Sequence, residues 1–577
     1  MRENYIKLGY GYKGKQWDII PDSVFSEYRK NGNRSNYQKR SFNVRRQMAC
    51  LVMSEVMEHE GILINDIIEG IEYFIEETWW GISAHYPTDI PLANNQVVDL
   101  FNAETANLLA WTTFMLHDDL EDVKPGICNR LLYEIDRRFL SPARKNDYKW
   151  KTKVDNWNTW ICSNWLSCIL LCETDRNQQL YDIGLVLDCL EAFFNGYPND
   201  GGCDEGVHYW DRAAASFFEC IRILAIATNG KFSFSDNPKF RAMGSYVYKT
   251  YICDNSYVNF ADALADTHVN INILYPYGYY IGDTVMTGFA AKIAEDANYK
   301  ENPIQLFSRS GNFPTLSREL LFLLDYDNFN RCRPSEPLQR DYYLPDIQVF
   351  TARSFANSID GLYVAAKGGH NAEKHNHNDI GSFIVYGDTE PLFIDIGFAT
   401  YNSQTFSNKR YELINCRSAY HNVPLINGIE QHQGIQYRAS NVEYEENDNT
   451  AIFSLNIEKA YPQKAEVEKW KRTINLKRGS RIEITEDYKL NKYVAPSILC
   501  LICYGKPNVE TPGRLALSVD SKPHYIIYDP HQLSPLIENV RIDDPAINDT
   551  WSRKPIYRIC LTISNHNLSG IINYYIE

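Results

Sequence analysis

His375-Asn376-His377, Asp395 eighteen residues beyond the second histidine, and His421 within Ser418-Ala-Tyr-His421-Asn422 gather imidazoles and a carboxylate in one stretch of the 577-residue chain. That is the ligand set a divalent zinc ion prefers. Five of the thirteen histidines (His370, His375, His377, His421 and His432) fall between residues 370 and 432. If residues 374–377 are extended, side chains two apart share a face, and His375 and His377 reach a single site. Residues 379–386 then read as a strand, Gly387-Asp-Thr-Glu-Pro391 as a turn, and residues 392–397 as the returning strand of a hairpin. Asp395 would sit in an apolar strand, where a carboxylate is costly unless it is paired or bound to a metal. The plainer alternative is an aspartate bonded to a nearby turn, with histidines that decorate a loop.

These residues need a scaffold, and the chain supplies two kinds. From about residue 40 to 330 apolar residues recur at three and four, as in Val44-Arg-Arg-Gln-Met-Ala-Cys-Leu-Val-Met-Ser-Glu-Val-Met57, which predicts an array of helices packed on one side. Loops rich in Pro, Gly and Asn, such as Asn195-Gly-Tyr-Pro-Asn-Asp-Gly-Gly202, join them. From about residue 342 the period becomes two, in Gly361-Leu-Tyr-Val-Ala-Ala366, Ala451-Ile-Phe-Ser-Leu-Asn-Ile457, Trp470-Lys-Arg-Thr-Ile-Asn-Leu476, Arg481-Ile-Glu-Ile-Thr-Glu486 and Gly570-Ile-Ile-Asn-Tyr-Tyr-Ile576. The expected organisation is α+β, a helical domain over residues 1–335 and an antiparallel β-domain over 336–577, with a cleft at their junction as the natural site. Nine of the eleven tryptophans lie in the helical part, and a minority lining a groove would offer flat faces to sugar rings.

Composition excludes other classes. With 73 acidic against 58 basic side chains the chain lacks the basic face of a nucleic-acid binder. No run approaches a membrane span, and the first ten residues lack a signal-peptide core, so a cytoplasmic location is expected unless the start is truncated. Fourteen cysteines without a framework spacing fit buried reduced thiols. Cys500-Leu-Ile-Cys503 has redox spacing but lies in a strand-like run, and it reads as structural.

Gly368-Gly-His-Asn-Ala-Glu-Lys-His375-Asn-His377-Asn-Asp379-Ile-Gly-Ser-Phe383, followed by Asp395-Ile-Gly397, Tyr401, Arg410-Tyr411 and Ser418-Ala-Tyr-His421-Asn422, resembles the heparinase II/III superfamily of polysaccharide lyases, including its oligoalginate lyase relatives. A looser similarity covers Trp79-Trp80 with His85-Tyr-Pro, Asp155-Asn156-Trp157-Asn158, and Asp200-Gly-Gly-Cys-Asp-Glu205-Gly-Val-His208-Tyr209-Trp210. The resemblance implies an incomplete (α/α) toroid followed by an antiparallel β-sandwich. It implies β-elimination on an acidic, uronate-containing polysaccharide or oligosaccharide. Tyr209 would be the acid and also a base, His375 the base for one C5 configuration, and Asn156 the amide that neutralises the C6 carboxylate. Relatives place a histidine after that asparagine and this chain has Trp157, so Asn158 competes for the role. Glu205, His208, Arg212, Arg410 and His85 are expected to bind substrate. Arg212, one turn beyond Tyr209 if the segment is helical, and Arg410 could lower the pKa of the phenol. His377, Asp395 and His421 would hold a structural zinc that fixes the loop carrying His375. Two competing readings are a glycoside hydrolase using Asp204 or Glu205 with Asp200, and a non-catalytic glycan-binding relative. The oligomeric state stays open, a homodimer included.

Overall fold

The computed structural model describes residues 1–299, 315–517, 520 and 522–577. Helices come first and antiparallel sheets second, as the change of period predicts. The chain divides into two compact units. One comprises Met1–Tyr197, Asp211–Phe240 and Val269–Glu336; the other comprises Pro337–Glu577 together with Pro198–Trp210 and Arg241–His268. A division by sequence at residue 335 misses those two inserted segments, which group with the sheets although helical sequence surrounds them.

In the first unit the apolar stripe dictates the packing. Helix Ile64–Glu76 buries Ile64, Ile67, Ile68, Ile71, Phe74 and Ile75, the three-and-four spacing of one face. Helix Asn156–Cys172 packs against Leu100–Val123, Arg176–Gly196 and Ala214–Ala227, so it is buried on most sides and carries few charges. Helix Leu100–Val123 is capped by Asp99, whose carboxylate accepts from the Asn102 N–H. Among the described residues no helix is long and apolar enough to cross a membrane.

The second unit is built on two antiparallel sheets, one of eight strands and one of nine. Strands Val467–Lys477 and Arg481–Leu490 alternate buried and part-exposed residues. Their inward Trp470, Ile474, Ile482 and Ile484 share one core with Phe350, Val364, Phe383 and Val385 of the other sheet. Phe350 and Phe453 stack across it with ring centroids 5.4 Å apart. Two inward positions are charged: Arg472 and Glu486 are both fully buried and pair in register across the neighbouring strands. The remaining donors of Arg472 reach the carbonyls of Gly381 (2.7 Å) and Asn422 (2.6 Å), which tie the histidine-bearing loops to the sandwich.

The expected hairpin forms, but shorter. Strands Phe383–Gly387 and Glu390–Phe393 pair antiparallel, and Asp395 lies beyond the second strand in irregular chain. There Gly397, at φ +73°, packs so closely on the 259–263 segment that a Cβ would meet Ala263 O at 2.7 Å. Cys500 and Cys503 are buried in strand Ile498–Tyr504, Cys500 opposite Cys560.

Candidate active site and metal cluster

One buried carboxylate organises the polar residues of the second unit. Asp262 Oδ2 lies 2.9 Å from His375 Nδ1, accepts from Arg410 Nη2 at 2.8 Å and from the Tyr401 hydroxyl at 3.0 Å. Its Oδ1 lies 3.1 Å from His377 Nε2. His375 and His377 therefore do not share the face of an extended strand, as spacing suggested. His375 has φ +53°, in the left-handed region, and the resulting turn sends the two imidazoles to opposite oxygens of Asp262. Ala261, just before the carboxylate, is left-handed as well (φ +62°), so this pairing is held by backbone strained on both sides.

The His375 loop is clamped from behind. Lys367, at the end of strand Leu362–Lys367, donates to Glu373 Oε2 (3.0 Å) and Asp379 Oδ1 (2.9 Å), a buried charge triad spanning the loop. Gly369 (φ +75°) lets Glu373 come so close that a Cβ there would lie 1.8 Å from Oε1. Arg410 donates to the carbonyls of His375 (3.0 Å) and Asn376 (3.3 Å) besides Asp262.

Tyr209 belongs to this cluster. Its ring stacks on that of His375, centroids 4.7 Å apart, and its hydroxyl hydrogen-bonds to that of Tyr401. Because Asp262 can only accept, Tyr401 donates to it and accepts from Tyr209, giving the order Tyr209, Tyr401, Asp262. Burial, with Tyr209 and Asp262 close by, pushes the Tyr401 phenol well up, so it stays protonated as the link. Glu205, almost fully buried, places Oε1 3.5 Å from His375 Nε2. His208 sets its ring against Tyr209 and Phe398. Burial disfavours a charged His375, but the Asp262 hydrogen bond and the Glu205 charge outweigh it and raise the imidazole pKa. Against its burial, hydrogen bonds from His375 and His377 and the Arg410 charge hold Asp262 far below the usual carboxylate range.

His377, Asp395 and His421 lie next to this cluster, all fully buried, with donor atoms within 4.8 Å of one another. Each imidazole is oriented from outside. His421 Nε2 donates to the Asn415 carbonyl at 2.9 Å and His377 Nε2 donates to Asp262. Both rings therefore keep Nδ1 for another partner; that of His421 lies 2.9 Å from Asp395 Oδ2, and that of His377 is buried without a hydrogen-bonding partner. Burial lowers the His377 pKa despite Asp262, which favours the neutral form a metal requires. Asp395 is held low against burial by His421, and His421 is raised by Asp395, so without a cation a proton must sit between them. Two ring nitrogens, one of them orphaned, and a carboxylate fit a divalent ion.

Apart from Asp200, the remaining expected residues belong to the first unit. Asn158 is fully buried and its amide donates to the carbonyls of Trp150, Lys151 and Cys189, so it serves the fold. Asn156, at the start of the same helix, makes no side-chain hydrogen bond among the described residues. His85 bonds Asp99 through Nδ1 at 2.8 Å and packs against Trp157, ring centroids 4.7 Å apart. Arg212 follows the end of helix Val207–Trp210 rather than continuing it. It pairs with Glu104 at 2.8 Å and lies over the Trp160 ring. Asp200, the hydrolase candidate, has Oδ1 bonded to Gly202 N–H and Oδ2 to Asp346 N–H.

Residues 348–492 match the family described as heparinase II/III-like, C-terminal. The chain carries a heparinase II/III-like C-terminal domain. Its fold extends the likeness: a heparinase III structure superposes with TM-score 0.66 at 13% identity, covering 98% of this chain and 79% of that one. A second heparinase III gives 0.63 at 11%, covering 100% and 82%. The heparan sulfate lyase HepC from Pedobacter heparinus gives 0.58 at 10%, covering 100% and 87%. No curated protein matches the chain in sequence.

The heparinase II/III-like stretch contains His375, His377, Asp395, Tyr401, Arg410 and His421 but neither Tyr209 nor Asp262. Asp262 escaped the sequence reading, and Tyr401 was noted there without a role. A signal for Asp262 existed: in Val258-Asn-Phe-Ala-Asp262-Ala-Leu-Ala265 it is a lone acid in an apolar run, the criterion that singled out Asp395.

Proposed function

We propose that the chain is a polysaccharide lyase that cleaves a uronate-containing polysaccharide or oligosaccharide by β-elimination. The observation that carries this reading is the stacked Tyr209–His375 pair, a phenol and an imidazole linked through Tyr401 and Asp262. Elimination breaks the C5–H bond of the uronate, forms the C4=C5 double bond as C4–O4 breaks, and returns a proton to O4. Asp262 holds the proton of His375 on Nδ1 and leaves the Nε2 lone pair to take the C5 proton. Tyr209 gives its proton to O4, and the cycle closes when the imidazolium formed at His375 passes its Nδ1 proton to the Tyr401 hydroxyl, 2.9 Å away, while Tyr401 passes its own to Tyr209. For the opposite C5 configuration Tyr209 serves as the base as well. Each such group supplies about 10²–10⁴-fold, so neutralising the C6 carboxylate must supply much of the rest. Asn156 is the amide we assign to that task, since Asn158 is engaged by the backbone. Zinc held by His377, Asp395 and His421 would cross-link the chain behind the His375 loop and supply charge to keep Asp395 ionised. Arg410 contributes by fixing that loop.

Incubating the chain with heparan-type, chondroitin- or hyaluronan-type and alginate-type polymers and oligomers tests this. At least one should yield a product with the ultraviolet absorbance of a C4-C5 conjugated uronate. New reducing ends without that absorbance would replace elimination by hydrolysis.

A further inference from the structure

The first unit holds a second donor cluster that the elimination chemistry does not use. His117 and Glu121 stand one turn apart on helix Leu100–Val123, and Cys128 opens helix Ile127–Ile135. One donor atom from each, an imidazole nitrogen, a carboxylate oxygen and a thiol sulfur, lie within 4.8 Å of one another. From this geometry we infer a second metal site, for a borderline divalent cation such as zinc, that clips these two helices together.

The local structure assembles the donors before any ion arrives. The first helix kinks at Leu116 (φ −124°, ψ 22°), which re-aims the turn carrying His117 and Glu121. The chain reverses through Gly126, at φ +87°, to start the next helix. Glu121 is fixed by accepting from the Gly126 N–H (2.7 Å) and the Cys128 N–H (2.9 Å), one through each oxygen. Each oxygen keeps a further lone pair. His117 Nδ1 lies 3.0 Å from Asp118 Oδ1, so a ring donating there presents Nε2 as its lone pair. Cys128 is 1% exposed and its Sγ contacts the His117 carbonyl at 3.8 Å, whereas the His117 ring is half exposed. A cation would thus have a dry sulfur side and an open side where water completes its shell.

The donor types choose the ion. Sulfur disfavours magnesium and calcium, which take oxygen shells, and sulfur, nitrogen and oxygen together suit zinc or cobalt. On binding, the Cys128 thiol releases its proton to solvent and the thiolate donates the electron pair. This site differs in kind from the His377, Asp395 and His421 cluster, which has no sulfur.

The test is a titration of metal-free full-length chain with Co²⁺, read by absorption. A thiolate-to-cobalt charge-transfer band should appear, be lost in Cys128→Ser, and need more than about 10-fold higher Co²⁺ in His117→Ala, whose exposed ring is not needed for folding. Absence of the band in the unsubstituted chain, its persistence in Cys128→Ser, or an unchanged Co²⁺ affinity in His117→Ala would each overturn the inference. Because neither variant touches Tyr209 or His375, failure here leaves the lyase reading standing.

Discussion

The polar cluster around Asp262 and the one around Glu104 are built on opposite plans. Around Asp262 every oxygen is engaged: two histidines, an arginine and a tyrosine converge on one carboxylate, and Tyr209 joins through Tyr401. Around Glu104, in the helical unit, one oxygen takes Trp160 Nε1 at 2.7 Å and Arg212 at 2.8 Å while the other is buried without a partner. The same unit carries part-exposed aromatic faces, Trp157 and Trp160, and the unbonded amide of Asn156. A network whose members orient one another suits proton transfer, which needs fixed geometry. Aromatic faces with spare donors suit holding a sugar.

The sharpest way to break this contrast is Asp262→Asn. It removes the negative charge, and one of the two accepting oxygens, on which His375, His377, Tyr401 and Arg410 converge, so formation of unsaturated product should fall by about 10³-fold or more. Melting should shift as well, because removing one partner of a buried ion pair costs about 3–5 kcal/mol. Tyr209→Phe should lose about 10²–10⁴-fold in rate and, unlike Asp262→Asn, melt as the parent does. Retained activity in that variant would remove the acid from the scheme.

Stripping metal tests the neighbouring cluster. Chelation, or His421→Ala, should lower the melting temperature together with the rate, since an ion bound only by the folded chain stabilises it by mass action. An unchanged melting temperature, with no metal by elemental analysis, would discard the structural ion.

On the Glu104 side the two asparagines should separate. Asn158→Ala removes an amide satisfied by three carbonyls and should cost about 1–3 kcal/mol of stability. Asn156→Ala should leave melting unchanged and reduce kcat/KM. The smallest effect is a pH dependence. Burial pushes the Glu104 carboxyl up to about 7 despite Arg212. A raised carboxyl favours the protonated folded state, so its contribution is complete below the free-chain pKa of about 4.3 and is lost as pH rises to about 7. The melting temperature of Glu104→Gln relative to the parent should therefore climb between pH 5 and 8; a flat difference would place the carboxyl at its ordinary pKa.

The fold class was readable because periodicity is a local signal: three-and-four spacing in residues 64–76 and alternation in 467–477 each report one buried face. The grouping of His377, Asp395 and His421 was readable because its residue types are unusual together. What the sequence left hidden is contact between distant segments. Asp262 lies 113 positions from His375 and Tyr209 lies 192 from Tyr401, and no local pattern joins them. Extension of residues 374–377 was a fair reading of spacing, but the left-handed turn at His375 depends on Asp262 and Arg410, which only the folded chain brings there. Arg212 shows the reverse error, since proximity in sequence to Tyr209 did not keep it from pairing with Glu104.

The central claim is that a phenol and an imidazole held by one carboxylate carry out elimination. The most direct measurement is the initial rate of unsaturated-uronate formation, on the best substrate of the panel, for the parent chain, Tyr209→Phe and His375→Asn at equal folded concentration. Asparagine is chosen because it tolerates the left-handed backbone at 375. The account predicts a robust rate in the parent and losses of about 10²-fold or more in both variants; a parent that releases only saturated ends, or variants as fast as the parent, would contradict it.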